Sequence, residues 1–448
     1  MAANLKILMY GWEFPPNISG GLGIACYAMV RSLMQQNIGI NLILPESTSA
    51  NITPKLLNNT ELKKIMSAFA ALLNSATINH HPLNEFNFVT NSLGPYSSSG
   101  DKVRHSHNAI LSTWASLLKN LNKLPEPSSL RDFLKRYVID ANLTNSALND
   151  YLLASVCCYA ALAGPLASLA PHQIIHAHDW LTILAALEGR VYSKASVVMH
   201  VHALEVDRSG VDTRNLIFQI EQYGMEHADK IIAVSELTKN NIIKYYHIDA
   251  AKISVIHNGL LTVEVKKHLP KRCPMVLFLG RITFQKGPHY FIEIAEKVLS
   301  VVPQAQFVFA GSGDLLKSTI EEVAAKHLGA NVHFTGFLNP YEVNQLFELA
   351  DVYVMPSVSE PFGISALEAA QHRVPVIVSK QSGVTEVMPN ILKIDFWDTD
   401  KFAGAIIAIL THQSLGKEMS SNAARDLKQL TWDNAAKKIL KVYESLLK

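Results

Sequence analysis

Charged residues and cysteines are both scarce in this 448-residue sequence. Asp, Glu, Lys and Arg make up 17% of it, where about 25% is usual. With 48% hydrophobic residues, that excludes disorder as the main theme and favours an interior sheet covered on both faces. Neither sign of charge dominates: 40 basic against 38 acidic residues leave a formal charge of +2. No basic field therefore exists to neutralise phosphates along a nucleic acid, and a small-molecule ligand is the better expectation. The four cysteines, Cys26, Cys157, Cys158 and Cys273, have neither paired metal-ligand spacing nor a disulfide framework. The start, MAANLKILMY, lacks a charged segment followed by a long apolar core. No apolar run is read as reaching the ~18 residues of a spanning helix. The expectation is a reduced, cytoplasmic protein for which a peripheral membrane contact stays open and no oligomeric state is specified.

What is present is an alternation. Leu5 to Gly11 reads as a strand, Leu22 to Gln36 as a helix, and Ile38 to Leu44 as a strand closed by Pro45. From about 46 to 171 the texture shifts to Asn, Ser, Leu and Lys with helical stretches over Thr60–Leu73, Asn108–Leu121, Leu130–Val138 and Ala147–Leu162, read as a mostly helical insertion. Strand-like runs resume at Gln173–His176, Val197–His202, Lys230–Val234 and Ile253–Ile256. After the linker LLTVEVKKHLPKRCP a second series begins: Met275–Leu279, Gln306–Ala310, Val332–Thr335, Asp351–Met355 and Val374–Val378. Near-continuous apolar strands alternating with helices imply parallel sheets covered on both faces. The expected fold class is α/β, with two doubly wound, Rossmann-like domains, residues 1–263 and 264–430, facing each other across a ligand-binding cleft.

The unusual residues gather at strand ends. Ser19-Gly20-Gly21-Leu22-Gly23 opens the first helix, where glycines let backbone N–H groups approach an anion. It is not a dinucleotide fingerprint, because nine residues, Trp12 to Gly20, separate Gly11 from the second glycine of that pair, and Cys26 takes the last glycine's place. His176-Ala177-His178-Asp179 and His200-Val201-His202 hold four histidines. Strand alternation sends neighbouring side chains to opposite faces, so at most one histidine of each pair need face a cleft, and the set reads as packed or hydrogen-bonded rather than metal-binding. Gly280-Arg281-Ile282-Thr283-Phe284-Gln285-Lys286-Gly287 carries two cations suited to two phosphates but lacks the order of a P-loop. Ser359-Glu360-Pro361-Phe362-Gly363-Ile364-Ser365-Ala366-Leu367-Glu368 sets one glutamate before a helix and one inside it. The helix rise separates their carboxylates by roughly 8–12 Å, too far for an acid/base pair on one bond but apt for gripping two hydroxylated groups with an anion between them.

With these motifs in view, the chain resembles the family 4 glycosyltransferases, retaining enzymes of GT-B fold, and within them the bacterial glycogen and starch synthases. The resemblance rests on EPFGISALE together with GRITFQKG, supported by HAHDW, HVHAL and TWDNAAKKILKVYESLL, and does not extend over the helical insertion. It implies a helix over 431–448 that crosses back to the first domain. It implies that Arg281 and Lys286 hold a donor diphosphate, that Glu360 contacts the transferred sugar, and that His202 lies beside the reacting centre. Glu368 would bind ribose, with Phe362, Gly363, Ile364 and Ser365 around the donor. Gly20 and Gly21 would border the phosphates, and Asp179 the sugar and acceptor.

The implied activity is transfer of a hexosyl group from a nucleoside-diphosphate sugar to a carbohydrate or other hydroxyl acceptor, without cofactor or metal. No second carboxyl is read about 5 Å from Glu360, as double displacement would require, so the front-face mechanism that the resemblance implies is preferred. Ile18 departs from the pattern, standing where those synthases carry lysine, which points to another donor or acceptor. A nucleotide-sugar epimerase of the same fold and a non-catalytic nucleotide-sugar-binding protein are the competing readings.

Overall fold

A computed structural model describes residues 5–15, 21–45, 77–80, 87–90, 114–115, 117–119, 121, 124, 126–139, 151–169, 171–261, 263 and 273–447. Gly20, Ile18, the stretch Thr60–Leu73, most of Asn108–Leu121 and most of the linker lie outside them.

The described chain builds two sheets. The first contains β1 (Lys6–Tyr10), β2 (Gly39–Ile43), β3 (Thr77–His80), β4 (Asn87–Thr90), β5 (Ile174–His178), β6 (Ser196–Val201), β7 (Lys230–Ala233) and β8 (Ile253–Val255). Their spatial order is β3-β4-β2-β1-β5-β6-β7-β8, parallel except where β3 runs antiparallel to β4 at the edge. The second contains β9 (Met275–Leu279), β10 (Gln306–Ala310), β11 (Val332–Gly336), β12 (Val352–Met355), β13 (Val376–Ser379) and β14 (Leu392–Ile394), in the order β11-β10-β9-β12-β13-β14 and parallel throughout. In both sheets the winding reverses beside the first strand, which opens a crevice at the strand C-termini. The doubly wound α/β expectation is met.

β1 shows how the sequence makes this architecture. Its side chains alternate, so Leu8 and Tyr10 join one core with the helices Tyr151–Ala163 and Asp179–Ser193, while Ile7 and Met9 join another with Gly21–Gln35 and Trp432–Leu446. Each such buried aliphatic side chain contributes about 1.5–3 kcal/mol. The helix Trp432–Leu446 is capped by Thr431, whose hydroxyl accepts from Asn434 N at 3.2 Å. It turns Trp432, Ala435, Ala436, Ile439, Val442 and Tyr443 inward at helical spacing. Its stripe lies on the first sheet, and Tyr443 Oη reaches His176 Nδ1 at 2.8 Å.

The chain leaves the first sheet and returns to it side by side. Leu260 N donates to Leu430 O at 2.9 Å, and a β-carbon on Gly259 would lie 2.2 Å from Trp432 N. Only glycine permits that approach.

The described residues of the insertion include the helices Ser129–Leu134 and Tyr151–Ala163 and also the strands β3 and β4, which extend the sheet beyond β2. Runs as short as TINH and NFVT carry too few residues for a period to be read. In addition, Tyr151–Leu169, 19 residues, is long and apolar enough to cross a membrane, contrary to the reading of its composition. In the fold 72% of its 18-residue apolar window is buried, against the helix Asp179–Ser193 and the first sheet, which accounts for its apolar character.

Candidate active site

The loop after β9 is built around glycine. Gly280 and Gly287 have φ of 153° and 68°, and a β-carbon on Gly287 would lie 2.3 Å from Pro356 O. The loop therefore packs directly on the chain leaving β12, and Val358 N donates to Gln285 O at 2.9 Å. This brings Lys286 Nζ onto Glu360 Oε2 as an ion pair, with the two side chains 17% and 8% exposed. Glu360 is fixed from behind as well: its N–H donates to Gln381 O and its carbonyl accepts from Gly383 N, both at 2.9 Å. Arg281 is exposed, and among the described residues no side chain pairs with it.

Gly363, with φ of 102°, precedes the helix Ile364–Gln371, and a β-carbon there would meet Met355 Cε at 2.9 Å and Glu360 Cγ at 3.3 Å. The turn thus presents free helix N–H groups beside Glu360. Phe362 is buried near His257, and Ser365 Oγ pairs with Tyr353 Oη at 2.7 Å. Ile364 packs against cores of both sheets. Glu368 is half-buried with no side-chain partner among the described residues, and burial pushes its carboxyl up to about 7.

On the opposite side, Asp179 sits at the end of β5 in a left-handed conformation, φ 54°, a strained choice for a non-glycine residue. Its Oδ1 accepts from His202 N at 2.6 Å and Ala203 N at 3.3 Å, holding the loop after β6. His202 is half-buried, its Nε2 3.0 Å from His178 Nδ1. Burial lowers the pKa of His202 against the pull of Asp179. The helix Gly21–Gln35 begins with Gly21 exposed.

The two sides meet where the motif around Glu360 contacts first-sheet residues that sequence reasoning missed. Asp207 Oδ1 accepts from Ser359 Oγ at 2.6 Å, and Asp207 Oδ2 accepts from Leu204 N at 3.0 Å. Its neighbour Arg208 is clamped by Glu205 at 2.9 Å and Glu221 at 2.5 Å. The only local signal was the charge density of EVDR right after the second histidine pair. Further along the junction, Ser235 Oγ donates to Pro361 O at 2.6 Å. Glu386 accepts from Glu236 N and Leu237 N, each at 2.9 Å, and pairs with His257 at 2.8 Å.

The histidines also depart from expectation. Alternation has a period of two, so residues two apart share a face, and His176, His178, His200 and His202 form one cluster rather than dividing between faces. Ring centroids lie 4.8 Å apart for His176 and His178, 5.2 Å for His178 and His202, and 4.3 Å for His200 and His202.

A family model described as "Glycosyl transferases group 1" matches residues 262–426, and one described as "Glycosyltransferase Family 4" matches residues 149–262. An uncharacterized glycosyltransferase of Methanocaldococcus jannaschii is 30% identical over 298 residues, 61% of this chain and 75% of that protein. A glycogen synthase of Mycobacterium tuberculosis is 28% identical over 226 residues, 49% of this chain and 54% of that enzyme's length. An alpha-maltose-1-phosphate synthase of Mycolicibacterium smegmatis is 25% identical over 309 residues, 61% and 79% of the two chains. Among solved structures, sucrose-phosphate synthase from Thermosynechococcus elongatus superposes with a TM-score of 0.67 at 17% identity, covering 99% of both chains. Anabaena HepE in complex with UDP-glucose does so with a TM-score of 0.62 at 15% identity, covering 98% of this chain and 100% of HepE. These structures share the two-sheet GT-B fold.

Proposed function

The chain belongs to the family 4 glycosyltransferases, and from that premise we propose that it transfers a hexosyl group, glucose first among candidates, from a nucleoside-diphosphate sugar to a hydroxyl acceptor with retention of configuration. The observation that carries the reading is the Lys286–Glu360 ion pair at the start of Ile364–Gln371. Without donor, cation and carboxylate neutralise each other. An arriving diphosphate competes for Lys286, helped by Arg281 and the helix N–H groups, and frees Glu360 to face the sugar. As the bond to the diphosphate lengthens, negative charge grows on the phosphates and positive charge on the sugar. Each then has its counter-charge in place before the reaction, the condition under which electrostatic stabilisation is most effective.

Glu368, farther into the same helix, would accept from ribose hydroxyls. Asp179 and His202 border the acceptor side, His202 as a neutral imidazole able to hydrogen-bond a sugar hydroxyl. In a front-face course a leaving phosphate oxygen takes the acceptor's proton, so no protein base is required. Glucose, and a UDP-type donor, are suggested by the glycogen and maltose-1-phosphate synthases among the relatives and by the UDP-glucose bound to HepE.

The test is a panel of nucleotide sugars and acceptors, screened by thermal shift and then by product analysis with anomeric NMR. Transfer that keeps the donor's anomeric configuration supports the proposal. Inverted product, or a free epimer formed without acceptor, refutes it.

A further inference from the structure

We propose that His176, His178 and His200 form a binding site for one divalent transition-metal ion of the zinc type, on the face of the first sheet beneath the helix Trp432–Leu446. One ligand nitrogen from each of the three lies within 4.8 Å of the others. His176 and His178 are two apart on β5, and His200 is the β6 partner of His178 in register. All three side chains are 0–1% exposed.

Their hydrogen bonding separates the ring nitrogens into two kinds. His176 Nδ1 bonds Tyr443 Oη at 2.8 Å and His178 Nδ1 bonds His202 Nε2 at 3.0 Å. The Nε2 atoms of His176 and His178, and both ring nitrogens of His200, are buried without a hydrogen-bond partner. Four orphaned nitrogens in one cluster are costly for a purely structural packing, at about 1–3 kcal/mol for each unsatisfied group. In His176 and His178 this is the division of labour of metal-binding imidazoles, one nitrogen oriented by a hydrogen bond and the other left to the ion, whereas His200 lacks the orienting bond.

The chemistry fits as well. Neutral imidazole is a preferred donor for zinc and its neighbours. Zinc–nitrogen bonds of about 2.0–2.1 Å put tetrahedral donors about 3.4 Å apart, so the ligand nitrogens close by up to about 1.4 Å through side-chain rotation. Cys26, His178 and His202 make a second triad, but there the nitrogens of His178 and His202 face each other in a hydrogen bond and the thiol is held protonated by burial. Lys286, Glu360 and Arg281 are not ligands, so the proposal stands whether or not the transfer reading does.

The experiment uses the full chain, purified without metal-affinity resin, stripped with chelator and titrated separately with zinc and with cobalt(II). Expected are about one ion per chain by elemental analysis, a zinc-dependent rise of several degrees in melting temperature, and the visible absorption of tetrahedral cobalt. His200→Gln should lose the ion while keeping the circular dichroism of the stripped parent. Should that variant not fold, Tyr443→Phe decides instead: it keeps the three nitrogens and should bind one ion about 10–100-fold more weakly. Binding of less than about a tenth of an ion per chain, with no thermal response to zinc, overturns the proposal. A cobalt–thiolate band, or metal loss in Cys26→Ser, overturns the ligand assignment.

Discussion

Replacing Glu368 by Gln separates a stability effect from a binding effect in one side chain. The carboxyl is pushed from 4.5 to about 7 by burial alone. Below about pH 4.5 it is protonated in both folded and unfolded chains and contributes nothing to the pH dependence. Between there and about 7 the unfolded chain gives up its proton while the folded one keeps it, so stability falls as pH rises, and above 7 the full penalty remains. The shift corresponds to a ceiling of about 3 kcal/mol, and partial solvent contact at the half-buried side chain lowers it to about 1–3 kcal/mol.

Gln cannot ionise, so the melting temperature of Glu368→Gln relative to wild type should climb with pH and level off above about 7, by about 2–10 °C. Scanning calorimetry of both proteins between about pH 5 and 8, without donor, measures this. Using the difference between variant and parent cancels Glu221, which burial also raises to about 7. In steady-state kinetics the same variant should raise donor KM and leave kcat nearly unchanged, since ribose is held alike in ground and transition states. A flat difference curve refutes the burial argument, and a collapse of kcat refutes the placement of ribose.

Glu360→Gln should lower kcat and kcat/KM together by about 10²–10³-fold, the mark of an interaction made chiefly in the transition state, and an unchanged kcat would count against it. Arg281→Ala and Lys286→Ala should each weaken nucleoside-diphosphate binding by about 1.5–3 kcal/mol, read by calorimetric titration, and undiminished affinity in the double variant would remove both from the phosphate site. Glu386→Gln should lower the melting temperature by weakening the cap on Glu236–Tyr246 and the contact with His257. Hydrogen bonds from His257 and the two backbone amides hold Glu386 below the usual carboxylate range although burial opposes them, so the stability it confers is present above about pH 4.5 and fades as pH falls through its folded pKa.

Sequence reasoning succeeded where a few adjacent residues carry the geometry. GRITFQKG and EPFGISALE could be placed at strand ends because glycine and proline mark the turns, and Lys286 and Glu360 do meet there. It failed where the determinant lies elsewhere in the chain. Ser359 and Asp207 are separated by 152 residues, and neither has a local pattern that names its partner. The elevated carboxyl of Glu368 depends on burial that only the assembled fold provides. β14, three residues long, is below the length at which periodicity can be seen. The histidine pairs were legible, since a period of two does place them together, but the alternation was applied to the wrong neighbours.

The return of Trp432–Leu446 to the first sheet has a consequence for synthesis on the ribosome. β8 ends at Val255, whereas the helix covering Ile7, Met9, Ile174 and Val198 ends at Leu446. At about 5–20 residues per second, roughly 10–40 s pass between these points. Throughout that interval the second half of the chain emerges while one face of the earlier half lacks its final helix, and Tyr443 cannot reach His176, 267 residues before it. The nascent first half is therefore a sticky intermediate, whose completion is timed by translation speed rather than by its own folding rate.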